Sequence, residues 1–214
     1  MTTRRLLVVA AIAAALFAVL AVLATVSWTA LRHADAAASS AGHSLLVHDT
    51  GARTATIVVT TLGSPPVVDA VAVLAVLVLA WQRDWGWALG VAFARLGESG
   101  VETLVKVIVG RPRPPLLPHL VATPGASFPS GHAAGTAATY VAVALAFTMS
   151  SSVALRRWAI AAAAVLIVAV AASRVLLGVH YPTDVLGGAA LGIAFAVAGN
   201  SIAVYWNGAR SSPA

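Results

Sequence analysis

The chain has 214 residues, 60% hydrophobic and only 9% charged, with a mean hydropathy of +0.92. A soluble domain is about one quarter charged, so an ordinary soluble module is excluded and an integral membrane protein is indicated. The formal charge of +6 does not indicate nucleic acid, because the basic residues are scattered between apolar runs and form no dense stripe. The chain contains no cysteine, which excludes disulfides, thiolate metal sites and cysteine nucleophiles.

A bilayer crossing needs roughly 20 apolar residues. The first run covers residues 6–31. Arg4 and Arg5 precede it and small residues follow at Ala34–Ala38, so residues 1–38 also resemble a cleavable secretory signal. Their apolar core exceeds the usual 7–15 residues of such a signal, and the segment is read as a retained anchor. Residues 39–65 mix His43, His48, Asp49 and Arg53 with a β-branched run and close on Gly63-Ser64-Pro65-Pro66. A short helix on the outer membrane surface and a plain loop both suit them.

Further spans are predicted over 66–82, 86–109, 131–149, 154–176 and 184–206. The expected fold is an all-α bundle of six transmembrane helices, one membrane-embedded domain over 1–214. Six spans put both termini on one side, together with Arg4, Arg5, Arg83, Arg156, Arg157 and Arg210. The positive-inside rule makes that side cytoplasmic, in a plasma membrane. Trp81, Trp85, Trp87, Trp158 and Trp206 fall at inner ends and Trp28 at an outer end, as an aromatic belt requires. Lys106, Arg111 and Arg113 fall outside, against the rule, which suggests a function there.

The same alternation gathers three polar segments at the outer face. They are Lys106-x6-Arg113-Pro114, Pro129-Ser130-Gly131-His132, and Ser173-Arg174-x5-His180-x3-Asp184. Each has an ordinary explanation taken singly. Lys106, the only lysine, can snorkel or pair with Glu102 one turn earlier. Ser130 can cap a helix, although a helix N-terminus behind a glycine turn also binds anions. His132, Arg174 and His180 can be structural or interfacial, and Asp184 can favour a helix dipole. Arg111 is either a solvated charge or a contact to a second phosphate. Taken together, three cations, two histidines, a hydroxyl and a carboxylate at one face of so apolar a chain point to phosphate handling.

At these residues the chain resembles the type 2 phosphatidic acid phosphatase superfamily, whose pattern is K-x6-RP, PSGH and SR-x5-H-x3-D. All three parts match, in order and without substitution. The resemblance implies that His180 is the nucleophile of a phosphohistidine mechanism, oriented by Asp184. It implies that His132 protonates the leaving group and then activates water. Lys106, Arg113, Arg174, Ser130 and the Gly131 N–H would bind the phosphoryl oxygens. No metal and no cofactor is implied, since three protein cations can supply the charge stabilisation that Mg²⁺ usually gives. The implied substrate is a lipid phosphate or diphosphate, such as phosphatidic acid, phosphatidylglycerophosphate or undecaprenyl diphosphate, entering from the bilayer at the outer face. No obligate protein partner is indicated. The alternatives are a lipid phosphotransferase and an anionic-lipid transporter; a transporter commonly shows inverted repeats and broken helices, which the sequence lacks.

Overall fold

The computed structural model describes residues 3–26 and 29–210, the last three by backbone alone. All regular structure among them is helical, in the order α1 (Thr3–Thr25), α2 (Thr29–Val47), α3 (Thr50–Thr61), α4 (Pro65–Trp81), α5 (Trp85–Val109), α6 (Gly131–Thr148), α7 (Val153–Leu176) and α8 (Pro182–Arg210). Local chemistry sets the ends. The Asp49 carboxylate accepts the Ala52 N–H and starts α3. Ser152 does the same for Leu155 in α7. Prolines at 65, 66 and 182 occupy first turns, where their missing N–H costs nothing. Gly110, at φ +57, stops α5 in the left-handed conformation.

Four stretches are long and apolar enough to cross a membrane: Thr3–Thr25, Thr50–Trp81 (α3 with α4), Val153–Leu176 and Pro182–Asn207. The chain is a multi-pass helical membrane protein. One expectation is corrected. The first apolar run does not continue to residue 31; α1 ends at Thr25, and residues 29–31 open α2. Residues 39–65, for which a short surface helix or a loop is expected, are helical over most of their length. They hold the end of α2 and all of α3, and Ser39, His43 and Leu46 are buried. The tryptophan expected at the outer end of the first span, Trp28, lies outside the described residues.

The middle of the bundle is α6, which packs against α4, α5, α7 and α8. Small side chains allow this: Ala133, Ala134, Ala137, Ala138 and Ala142 are fully buried. Hydrocarbon lipid gives no hydrophobic drive between helices, so close backbone approach and dispersion must hold them. The α6–α8 crossing is so tight that a Cβ added at Gly192 would sit 2.2 Å from the Ala134 carbonyl oxygen. This crossing holds the start of α6 beside the start of α8, and both ends carry site residues.

Candidate active site

Four of these helices and one loop meet around a cavity of about 400 Å³. The last turns of α5 contribute Glu98, Glu102 and Lys106 to its wall, and the start of α6 contributes Gly131 and His132. Arg174 comes from the end of α7, His180 from the turn before α8, and Arg113 and Thr123 from the 110–130 loop. Six of the eight residues singled out from the sequence therefore line one space. Ser130 and Asp184 are fully buried and do not line it. Ser130 stands at the helix N-cap position, yet its hydroxyl caps nothing and, among the described residues, has no hydrogen-bond partner. Its N–H donates to the Asp184 carbonyl at 3.0 Å, tying α6 to α8. At Gly131 a Cβ would come within 2.7 Å of Glu102 Oε1, so any side chain there would push the Glu102 carboxylate aside.

The charges of the site are unevenly matched. Lys106 Nζ meets Glu102 Oε1 at 2.5 Å, the ion pair its spacing allows. Arg113 instead rests on neutral acceptors. It donates to the carbonyls of Val179 (2.8 Å), Gly125 (3.1 Å), Pro124 (3.1 Å) and Ala126 (3.2 Å). Arg174 donates to Thr60 Oγ1 at 3.0 Å and Thr123 Oγ1 at 3.4 Å. Among the described residues neither guanidinium has a carboxylate within ion-pair distance. Burial makes the Arg113 guanidinium less basic than usual. Two cations held in low dielectric without counter-charges attract an anion strongly.

His180 is 2% exposed. Arg113 Nη1 lies 3.0 Å from its Nε2. A guanidinium can only donate, so Nε2 carries the lone pair and Nδ1 the proton. On the other side, Asp184 Oδ2 is 3.5 Å from Nδ1, longer than an ordinary hydrogen bond, and Ser127 Oγ is 3.4 Å away. Ser127 also donates to Asp184 Oδ2, so it stands between the two expected partners. Burial, with Arg113 and Arg174 adding to it and Asp184 opposing it, pushes the His180 pKa down to about 4. The ring is thus neutral at pH 7, with its Nε2 lone pair accepting from Arg113.

Several participants were not found from the sequence. Arg111 is neither solvated nor aimed at a second phosphate. It is 11% exposed and joins two carboxylates, Asp184 at 2.6 Å and Asp35 of α2 at 2.8 Å. Its charge opposes burial with the help of Asp184 and Asp35, which raise its pKa overall. Ser127, Thr183 and Asp35 complete this layer. The signal for Asp35 was its charge in an apolar, alanine-rich stretch, where an ionisable residue needs a partner.

Beside the cavity runs an apolar groove of about 410 Å³ between α4 and α5, lined by Ala72, Val73, Val76, Leu77 and Leu96, and sharing Arg95 and Ser99 with it. Arg95 bridges Asp69 across the groove at 2.8 Å and Glu98 at 2.9 Å. On the opposite side a smaller space of about 340 Å³, with His119, shares Arg113 and Thr123.

A buried neutral imidazole facing unmatched guanidiniums, in a bundle of closely packed helices, defines an anion site of a helical membrane protein. The chain belongs to the PAP2 superfamily, matched over residues 85–208. Over 114 residues it is 38% identical to decaprenylphosphoryl-5-phosphoribose phosphatase of Mycobacterium tuberculosis, covering 52% of this chain and 56% of that protein. The protein of the same name from Mycolicibacterium smegmatis is 38% identical over 112 residues, 51% of this chain and 54% of the other. The chain thus spans about half the length of the curated relatives it matches. Among solved structures, a transmembrane PAP2 type phosphatidylglycerolphosphate phosphatase from Bacillus subtilis superposes with TM-score 0.75 and 27% identity, over 89% of this chain and 94% of its own. Aquifex aeolicus LpxE shares the fold at TM-score 0.56 and 20% identity, over 72% and 88% of the two chains.

Proposed function

We propose that the chain is a membrane phosphatase that releases phosphate from a lipid-linked phosphate, with its site on the outer face and with His180 as nucleophile. The observation that carries this reading is that the half-buried Arg113 and the buried Arg174 face the cavity beside His180 and, among the described residues, have no carboxylate partner. A phosphoryl group entering the cavity supplies the missing negative charge. Arg113 then exchanges its bond to Nε2 for one to a phosphoryl oxygen, which frees the lone pair.

In the first step the Nε2 pair forms a P–N bond as the P–O bond to the lipid breaks. His132 gives a proton to the departing oxygen. In the second step His132 takes a proton from water, the water oxygen bonds to phosphorus, and the P–N bond breaks to restore neutral His180. Lys106, Arg113, Arg174 and the Gly131 N–H stabilise the equatorial oxygens in both steps. No metal is required, because protein cations surround the phosphoryl position.

Six helices, α1, α4, α5, α6, α7 and α8, are read as the membrane crossings of a single domain. With Arg83, Arg156 and Arg157 inside, the 110–130 loop and His180 lie outside. The apolar groove beside the cavity suits a hydrocarbon tail that stays in the bilayer. The mycobacterial relatives favour a polyprenyl-linked sugar phosphate as substrate, and the Bacillus neighbour favours a phosphoglycerolipid. The test is phosphate release by purified protein in detergent, with excess EDTA, from a panel of lipid-linked phosphates and diphosphates. Release from at least one, unaffected by chelation and absent in His180→Ala, is expected. No release from any of them, or EDTA inhibition reversed by Mg²⁺, overturns the reading.

A further inference from the structure

The start of α8 is held in an unusual way. Tyr181 precedes the helix and has no short polar side chain with which to cap it. Asp184, three residues on, reaches back and accepts the Tyr181 N–H at 2.8 Å, which is half of a capping box. The other half comes from a different helix. Asp35 Oδ1, on α2, accepts the Thr183 N–H at 3.1 Å, and Asp35 Oδ2 accepts the Thr183 hydroxyl at 2.5 Å. Oδ2 also accepts from Arg111 Nη2 at 2.8 Å. The other nitrogen of that fork donates to Asp184 Oδ1 at 2.6 Å and to Thr183 Oγ1 at 2.7 Å. The guanidinium stacks 4.2 Å from the centroid of the Tyr181 ring. A second α2 residue, Ser39, donates to the His180 carbonyl at 3.2 Å. Asp35 is 2% exposed and lies fifty residues before the stretch that matches the family.

We infer that Asp35 is a positioning residue of the catalytic pair: it fixes Arg111 against Asp184 and caps α8 from α2, so that Asp184 and His180 keep one orientation. The inference rests on the phosphatase reading for its kinetic consequence and on geometry alone for the rest. Asp184 has its two oxygens assigned to different partners, Oδ1 to Arg111 and Oδ2 to Ser127, Tyr181 N–H and the His180 side. Without Asp35 the fork loses one of its two anchors, and a carboxylate with a mobile partner no longer defines the imidazole plane. Groups that orient a reacting ligand from behind typically cost about 10- to 100-fold when removed.

The experiment uses full-length protein in detergent with Asp35→Ala, Asp35→Asn, Arg111→Lys, Arg111→Gln and the Asp35→Asn/Arg111→Gln double variant. For Asp35→Ala, kcat is expected to fall about 10- to 100-fold with KM changed less than about threefold, because the phosphate-binding residues are untouched. Asp35→Asn keeps an acceptor for Thr183 and should lose less, and Arg111→Lys should lose less than Arg111→Gln. The double variant should exceed Arg111→Gln in activity, since it removes the buried carboxylate that the single change leaves unpaired. Titration of His180, followed by NMR of 15N-histidine-labelled protein, reads the pair without turnover. The ring is faced by Arg113 and Ser127 of the loop, Arg174 of α7, His132 of α6 and Asp184 of α8, all unchanged. Removing the Arg111 cation should raise the titration point; removing the Asp35 anion should lower it. Simple destabilisation would not produce opposite shifts. Unaltered kcat with an unmoved titration in both Asp35 variants overturns the inference, as does a loss confined to KM. A chain that hydrolyses no lipid phosphate but shows the opposite shifts loses the phosphatase reading and keeps this one.

Discussion

His180 owes its chemistry to burial. In the unfolded chain its ring binds a proton near pH 6.5, and in the folded site only near 4. The neutral form of the ring therefore persists well below neutrality. The His180-dependent acid limb of kcat/KM should lie near pH 4, not at 6.5, when measured across pH 3–8 on the best lipid substrate. A limb at 6.5 that moves with substitutions around His180 would contradict a buried, neutral nucleophile. Stability carries the opposite mark. As pH drops from 6.5 toward 4, the unfolded chain takes up a proton that folded His180 refuses, so this group destabilises the fold over that window. The site residues that could be read directly were those in short linear patterns: Lys106, Arg113, His132, Arg174, His180 and Asp184. Asp35 could not be read in this way. Its partner Arg111 is 76 residues away, and nothing local links them. Ser127 sits only two residues before Pro129, yet serine in a proline-rich loop usually signals a turn.

Among the elements, the crossing of α6 and α8 decides whether the site is assembled. It depends on two glycines one turn apart, Gly188 and Gly192, facing the backbone of α6. Added Cβ atoms there would lie 2.4 Å from the Ser130 oxygen and 2.2 Å from the Ala134 oxygen. Backbone cannot yield as a flexible side chain does, so the helices must part. Gly192→Val should destabilise the purified protein by more than the about 1–3 kcal/mol typical of overpacking, read as a lower thermal unfolding midpoint in detergent, and activity should fall with it. An unchanged midpoint would show that the two helices are not in this contact. Long apolar helices such as α4, α7 and α8 are visible from hydropathy alone. The division of the first third into α1, α2 and α3 was not, because α2 mixes alanine with buried polar residues whose partners lie on α8, the turn before it and the 110–130 loop.

For the whole molecule, the question is which side of the membrane the cavity faces. The chain has no cysteine, so a single introduced thiol reports without background. Ala122 is exposed in the 110–130 loop and Ser152 is exposed at the start of α7. In intact cells a membrane-impermeant maleimide should label Ala122→Cys, and should label Ser152→Cys only after lysis. The reverse pattern would place the site on the cytoplasmic leaflet and show that the few loop arginines misreport orientation.

The two guanidiniums without counter-charges have a further effect once turnover begins. Inorganic phosphate leaves the reaction carrying the same oxygens that drew the substrate in, and it finds the same Arg113 and Arg174. Anything that binds only the folded form raises its apparent stability by mass action. If the chain releases phosphate as proposed, the product should both raise the thermal midpoint of the purified protein and compete with the lipid substrate. On the proposed reading, a phosphate-rich medium should slow turnover without a separate regulatory site, and added phosphate in the release assay should inhibit competitively with lipid.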